Sequence, residues 1–88
     1  MHLEIVSPEK TIFSGEAKSV HLPGSEGHFQ VLNNHAPIVS TLKKGKILID
    51  GVDNLDSDFL DFSNGKASLE IKSGVVEMKK NKLIILVD

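Results

Sequence analysis

Residues 23–45 read PGSEGHFQVLNNHAPIVSTLKKG, and they decide the fold. Two short apolar runs, 28–32 and 37–42, are set between Pro23-Gly24, Gly27, Asn33-Asn34, Pro37 and Lys44-Gly45. Gly and Asn tolerate positive φ, so they sit where a chain reverses tightly. Pro cannot donate to a sheet ladder, which places Pro37 at the first position of a strand or on an edge. The stretch therefore reads as strand, turn, strand.

The same punctuation continues in both directions. Ser14-Gly15, Asp50-Gly51, Asn64-Gly65, Ser73-Gly74 and Lys80-Asn81 each separate runs of four to six residues rich in Val, Ile, Leu and Phe. Several runs alternate: Ala67, Leu69 and Ile71 oppose Ser68, Glu70 and Lys72, and Val20 and Leu22 oppose Ser19 and His21. The pattern predicts strands over 2–6, 11–14, 17–22, 28–32, 37–42, 46–50, 58–62, 67–71, 75–79 and 82–87. No segment sustains a helical period with caps. Evenly spaced short strands favour a sandwich or barrel. The expected fold class is all-β, a β-sandwich of about ten strands, in a single domain over residues 1–88.

Composition narrows the function. The chain has no cysteine, so neither disulfides nor thiolate metal sites hold it together. Ten basic against twelve acidic residues give a net charge of −2, with no electrostatic footprint for nucleic acid or anionic lipid. The longest apolar run, Leu83-Ile84-Ile85-Leu86-Val87, is far short of the ~20 residues that cross a bilayer. The amino terminus lacks the basic region and apolar core of a signal sequence. The expectation is a cytoplasmic protein with no direct membrane insertion.

Catalytic and metal motifs fail on spacing. Ser25 lacks the Gly-x-Ser-x-Gly context of a nucleophile elbow, and there is no phosphate-binding Gly-x-x-x-x-Gly-Lys-Ser/Thr loop. His2, His21, His28 and His35, with Glu26, invite a zinc reading, but no His-x-His pair is present. The cupin-like echo of Pro23-Gly24, Gly27 and His28 fails for the same reason. Asp50, Asp53, Asp56, Asp58 and Asp61 cluster near Gly51 without EF-hand spacing, which reads as a solvated acidic connection. No catalytic residue, cofactor or metal is expected. His35 reads as a turn histidine whose ring bonds a nearby backbone group.

Pro23-Gly24, Gly27, His35-Ala36-Pro37 and Leu42-Lys43-Lys44-Gly45, taken in order, resemble the amino-terminal domain of the epsilon subunit of F-type ATP synthases, called delta in mitochondria. Ser73-Gly74-Val75-Val76-Glu77-Met78 and Asn81-Lys82-Leu83-Ile84-Ile85-Leu86 are similar to that family's Gly-Gly-x-x-Glu-Val and Asn-x-Val-x-x-Leu pair. The resemblance runs from Leu3 to Leu86 apart from the acidic segment, and it does not reach the family's two-helix carboxy-terminal hairpin. Gln30 stands where the family usually has Gly, and Asn33 where it often has Pro.

The resemblance implies two five-stranded sheets packed face to face. It also implies a non-catalytic central-stalk subunit that links gamma to the membrane rotor ring and couples ion translocation to ATP synthesis. Its place would be peripheral, on the cytoplasmic face of the inner membrane. Carried over by position, Gly24, Ser25, Glu26, Gly27, His28 and His35 would contact the ring, and Ser7, Ser40, Ile84 and Ile85 would meet gamma. Residues 83–87 show no alternation, so the strand is either roofed by its own loops or covered by a partner. A generic small β-sandwich binding module is the alternative.

Overall fold

The computed structural model describes residues 1–52, 61–63 and 66–88. Every regular element among the described residues is a strand: β1 (His2–Val6), β2 (Thr11–Glu16), β3 (Ser19–Gly24), β4 (Gly27–Leu32), β5 (Ile38–Leu42), β6 (Gly45–Asp50), β7 (Asp61–Ser63), β8 (Lys66–Ile71), β9 (Gly74–Lys79) and β10 (Lys82–Val87). These follow the expected strands roughly, with β2 two residues longer than the expected 11–14 and β3 two residues further along than the expected 17–22. Asp53, Asp56 and Asp58 of the acidic segment, and the start of the strand expected at 58–62, lie outside the described residues.

Local chemistry makes the reversals. After β1 the chain turns through Ser7–Lys10, whose backbones exchange hydrogen bonds of 2.8 and 3.3 Å around Pro8. Pro8 contributes its fixed φ to that turn. β9 and β10 meet at a two-residue turn with Lys80 at φ 51° and Asn81 at φ 59°. Two consecutive left-handed residues match the natural twist of a hairpin.

Hydrogen bonding runs without a break in the order β2-β1-β10-β9-β5-β3-β6-β8-β7, with β4 on the remaining edge of β3. The two five-stranded sheets are therefore present as two halves of one curled sheet, β2-β1-β10-β9-β5 and β4-β3-β6-β8-β7. β3 joins them. One of its edges pairs with β6 at Ser19–His21 and then with β5 at the single pair Gly24↔Leu42.

β1 and β10 pair in parallel, with Leu3 beside Leu83 and Ile5 beside Ile85. Leu3, Ile5, Val76, Met78, Leu83 and Ile85 from the first half meet Val20, Leu22, Val31, Ile47 and Ile49 from the second in one core, and none is more than 1% exposed. With no cysteine in the chain, this core carries the stability; each such side chain contributes about 1.5–3 kcal/mol on burial.

Candidate partner-docking surface

Strand β10 lies between β1 and β9, so its side chains alternate between core and outer face whatever their chemistry. Leu83, Ile85 and Val87 point inward and are buried, while Lys82, Ile84 and Leu86 point outward. Apolar residues on both sides hid this alternation in the sequence. It also corrects one expectation: Ile85 is fully buried in the core, so of the pair named for the gamma contact only Ile84 reaches the surface.

Register extends the outward face across three strands. Ile84 opposes Glu77 on β9, which opposes Val39 on β5. One step along, Val6 opposes Leu86, which opposes Val75, which opposes Thr41. Val39 is 72% exposed, Leu86 53% and Val75 41%, so no described loop roofs this face. Isolated exposed aliphatics are ordinary, whereas a contiguous set on one sheet face makes a candidate interaction surface. Val39, Val75 and Leu86 were missed by sequence reasoning. The only available signal was the phase of alternation, which needs the pairing to be known.

Polarity changes along the face. Toward the amino-terminal end of β1 the outer surface is ionic: His2 Nδ1 is 3.2 Å from Glu16, His2 Nε2 is 3.2 Å from Glu4, and Lys82 Nζ is 3.7 Å from Glu4. Toward the other end it is apolar and concave. A groove of about 540 Å³ opens there between Val6, Ser7, Pro8, Thr41, Val75 and Leu86. Ser7 thus lies beside the apolar surface, its hydroxyl donating to the Lys10 carbonyl at 3.2 Å. Ser40 lies on the opposite face of β5 from Val39 and Thr41, in the row of Val76 and Ile5.

The turn Gly24–Gly27 stands at that same grooved end. Ser25 and Glu26 form its exposed tip between the paired residues Gly24 and Gly27. Gly27 has φ +134°, and a Cβ on Gly24 would lie 2.6 Å from the Gly27 carbonyl oxygen. Both positions therefore require glycine. The turn is tied to β5: the Ser25 amide donates to Thr41 O at 3.0 Å, and the Thr41 hydroxyl donates to Ser25 Oγ at 2.8 Å. His28 follows on β4, exposed, its ring edge-on to that of His21 with centroids 6.3 Å apart.

His35 is elsewhere. It follows β4, at the end of the sandwich occupied by Met1, Asn33 and Asn81. The six paired residues from Gly27 to Leu32 separate it from the turn by about 17 Å of strand. The six residues expected at the ring thus fall into two groups at opposite ends, because β4 runs the length of the sheet between them. The His35 ring does what the turn reading expected, its Nδ1 donating to the Ala36 carbonyl at 2.7 Å. Among the described residues no group of three or more His, Asp or Glu side chains is arranged to hold a metal ion.

Residues 1–88 match the family model described as the ATP synthase, Delta/Epsilon chain, beta-sandwich domain. The ATP synthase epsilon chain of Campylobacter fetus is 47% identical over 88 residues, spanning all of this chain and 60% of that protein. That of Chlorobium limicola is 37% identical over 86 residues, spanning 98% of this chain and 86% of that protein. Among solved structures, a chain of the central stalk/c-ring structure of the Tetrahymena thermophila mitochondrial ATP synthase superposes with a TM-score of 0.77 at 15% identity. The superposition covers 98% of this chain and 61% of that one, and at such identity the likeness is one of fold. The chain belongs to the ATP synthase delta/epsilon chain family, matching its beta-sandwich domain from end to end.

Proposed function

We propose that this domain is a non-catalytic part of the central stalk, holding gamma on its outer sheet face and meeting the membrane rotor ring with the Gly24–His28 turn. The observation that carries the proposal is the exposed apolar set Val39, Val75 and Leu86, with the half-buried Ile84 beside them on the same outer face. A rotor subunit that passes torque needs stiffness and two interfaces. Continuous strand pairing through Gly24↔Leu42 supplies the first. The apolar face and the glycine-shaped turn, joined at Thr41, supply the second.

In this arrangement gamma covers Ile84, Leu86, Val75 and Val39, with Ser7 at the rim of the groove. Ser25, Glu26 and His28 are polar and exposed, suited to a wet contact with polar loops of the ring, where each hydrogen bond is individually modest. His35, at the opposite end, is left out of the ring contact. The domain would sit peripherally, at the cytoplasmic face of the membrane; no helix among the described residues is long and apolar enough to cross one. Coupling of ion flow to ATP synthesis would follow from this double attachment.

The test is reconstitution. A Leu86→Asp variant should lose gamma binding, and a Glu26→Ala/His28→Ala variant should keep gamma but lose the ring and ion-driven synthesis. Wild-type assembly and synthesis by both variants would overturn the proposal.

A further inference from the structure

Glu77 stands in the middle of the apolar face. It projects outward from β9, exposed, with Ile84 directly opposite on β10 and Val39 directly opposite on β5. Along its own strand its outward neighbours are Val75 on one side and Lys79 on the other. Three of its four lateral neighbours are therefore apolar. Among the described residues no cation lies within ion-pair distance of its carboxylate, although the nearby acid Glu4, one strand beyond Ile84, is paired with Lys82 at 3.7 Å. Glu77 also borders a shallow depression of about 250 Å³ together with Pro37, Val39 and Lys79.

In the free domain water solvates this carboxylate at no cost. Covering the surrounding aliphatics would strip that water, and a desolvated charge without a partner strongly opposes binding. An apolar face with a central unpaired acid therefore specifies more than hydrophobicity in whatever covers it.

We propose that Glu77 is the charge that selects the partner on this face: the partner presents a Lys or Arg within an apolar surface, seated at the depression and paired with the Glu77 carboxylate. Arg suits the position best, since its planar fork can hold both carboxylate oxygens and is weakly hydrated. The aliphatic neighbours exclude water from the pair, so the charge sets orientation and register while the apolar set carries the contact area. This rests on the reading that gamma occupies the face, so the cation is assigned to gamma.

The experiment titrates purified gamma subunit with the full chain at low and high salt, using Glu77→Gln, Glu77→Lys and Leu86→Asp variants. Circular dichroism melts check that each variant folds as the parent does. The expected result is a loss of at least about tenfold in affinity for Glu77→Gln, a larger loss for Glu77→Lys, and a flatter salt dependence for both. Leu86→Asp should also abolish binding. Parental affinity and salt dependence in Glu77→Gln, with binding lost in Leu86→Asp, would overturn the role of Glu77 and leave the face as the gamma site. Parental binding by Leu86→Asp would overturn both.

Discussion

The side-chain carbonyl oxygen of Asn33 accepts a hydrogen bond of 3.1 Å from the Nδ2 of Asn81, forty-eight residues along the chain. The same pair holds two loops and a strand start: Asn81 Oδ1 accepts from the Asn34 amide at 2.7 Å, and its backbone carbonyl accepts from the His2 amide at 3.1 Å. The Met1 amino nitrogen donates to Asn33 at 2.6 Å. Asn81 is also one of three non-glycine residues with positive φ among those described, at 59°. One residue thus closes the β9–β10 turn and fastens the loop that carries His35 beside it.

Asn81→Ala removes both side-chain bonds and places a Cβ-bearing residue without a polar group in a left-handed turn. The expected cost is about 2 kcal/mol, a fall in melting temperature of roughly 10 °C for a domain of this size. Asn81→Gly, which keeps the backbone geometry accessible, should lose about half as much. Thermal denaturation followed by circular dichroism measures both. Equal losses would mean the hydrogen bonds, not the backbone conformation, dominate at this turn.

Ile85 and Leu86 are adjacent but should respond oppositely to the same substitution. Ile85→Asp buries a carboxylate in the core and should unfold the domain, a cost of several kcal/mol. Leu86→Asp falls on a side chain that is 53% exposed and should leave the melting temperature within a few degrees. Paired melts distinguish the two positions without any partner present.

Gly24→Ala should damage the turn more than Gly27→Ala damages packing. A methyl at Gly24 meets the Gly27 carbonyl oxygen at 2.6 Å and the Phe29 ring at 2.7 Å, whereas a methyl at Gly27 meets nothing within 4 Å. The Gly27 penalty is conformational, from φ +134°, and about 1–3 kcal/mol. In Gly24→Ala the clash should also loosen the bond from Ser25 to Thr41, seen as faster amide exchange at Ser25. Unchanged protection at that amide would show that the hairpin adjusts elsewhere.

The two ends of the sandwich should be separable in a ring-binding assay. Glu26→Ala combined with His28→Ala should reduce association with the purified rotor ring, while each alone has a small effect. His35→Ala should leave ring association at the parental level, since that residue sits at the far end of β4. Loss of ring binding in His35→Ala would reverse the orientation proposed for the domain. Pull-down with detergent-solubilised ring is sufficient.

Much of this molecule is local, and the local part was legible in the residues. Strand positions followed from alternation in Val20–Leu22 and Ala67–Ile71, and reversals from Gly24, Gly27 and Asn81, because each is settled by neighbours within a few positions; the turn around Pro8 was not read from the sequence. The glycine-shaped turn and the His35 ring bond belong to the same class. What the residues alone could not decide was pairing. The parallel contact of β1 with β10 and the switch of β3 from β6 to β5 join segments far apart in the chain, through backbone groups that every sequence possesses. Pairing then determined which side of β10 faces water, moved Ile85 into the core, exposed Leu86 and set Glu77 between Ile84 and Val39. It also sent the Gly24–His28 turn and His35 to opposite ends. An apolar run such as 83–87 carries no mark of its own phase; only the strands on either side of it, and the core they enclose, assign one face to the interior and the other to the surface.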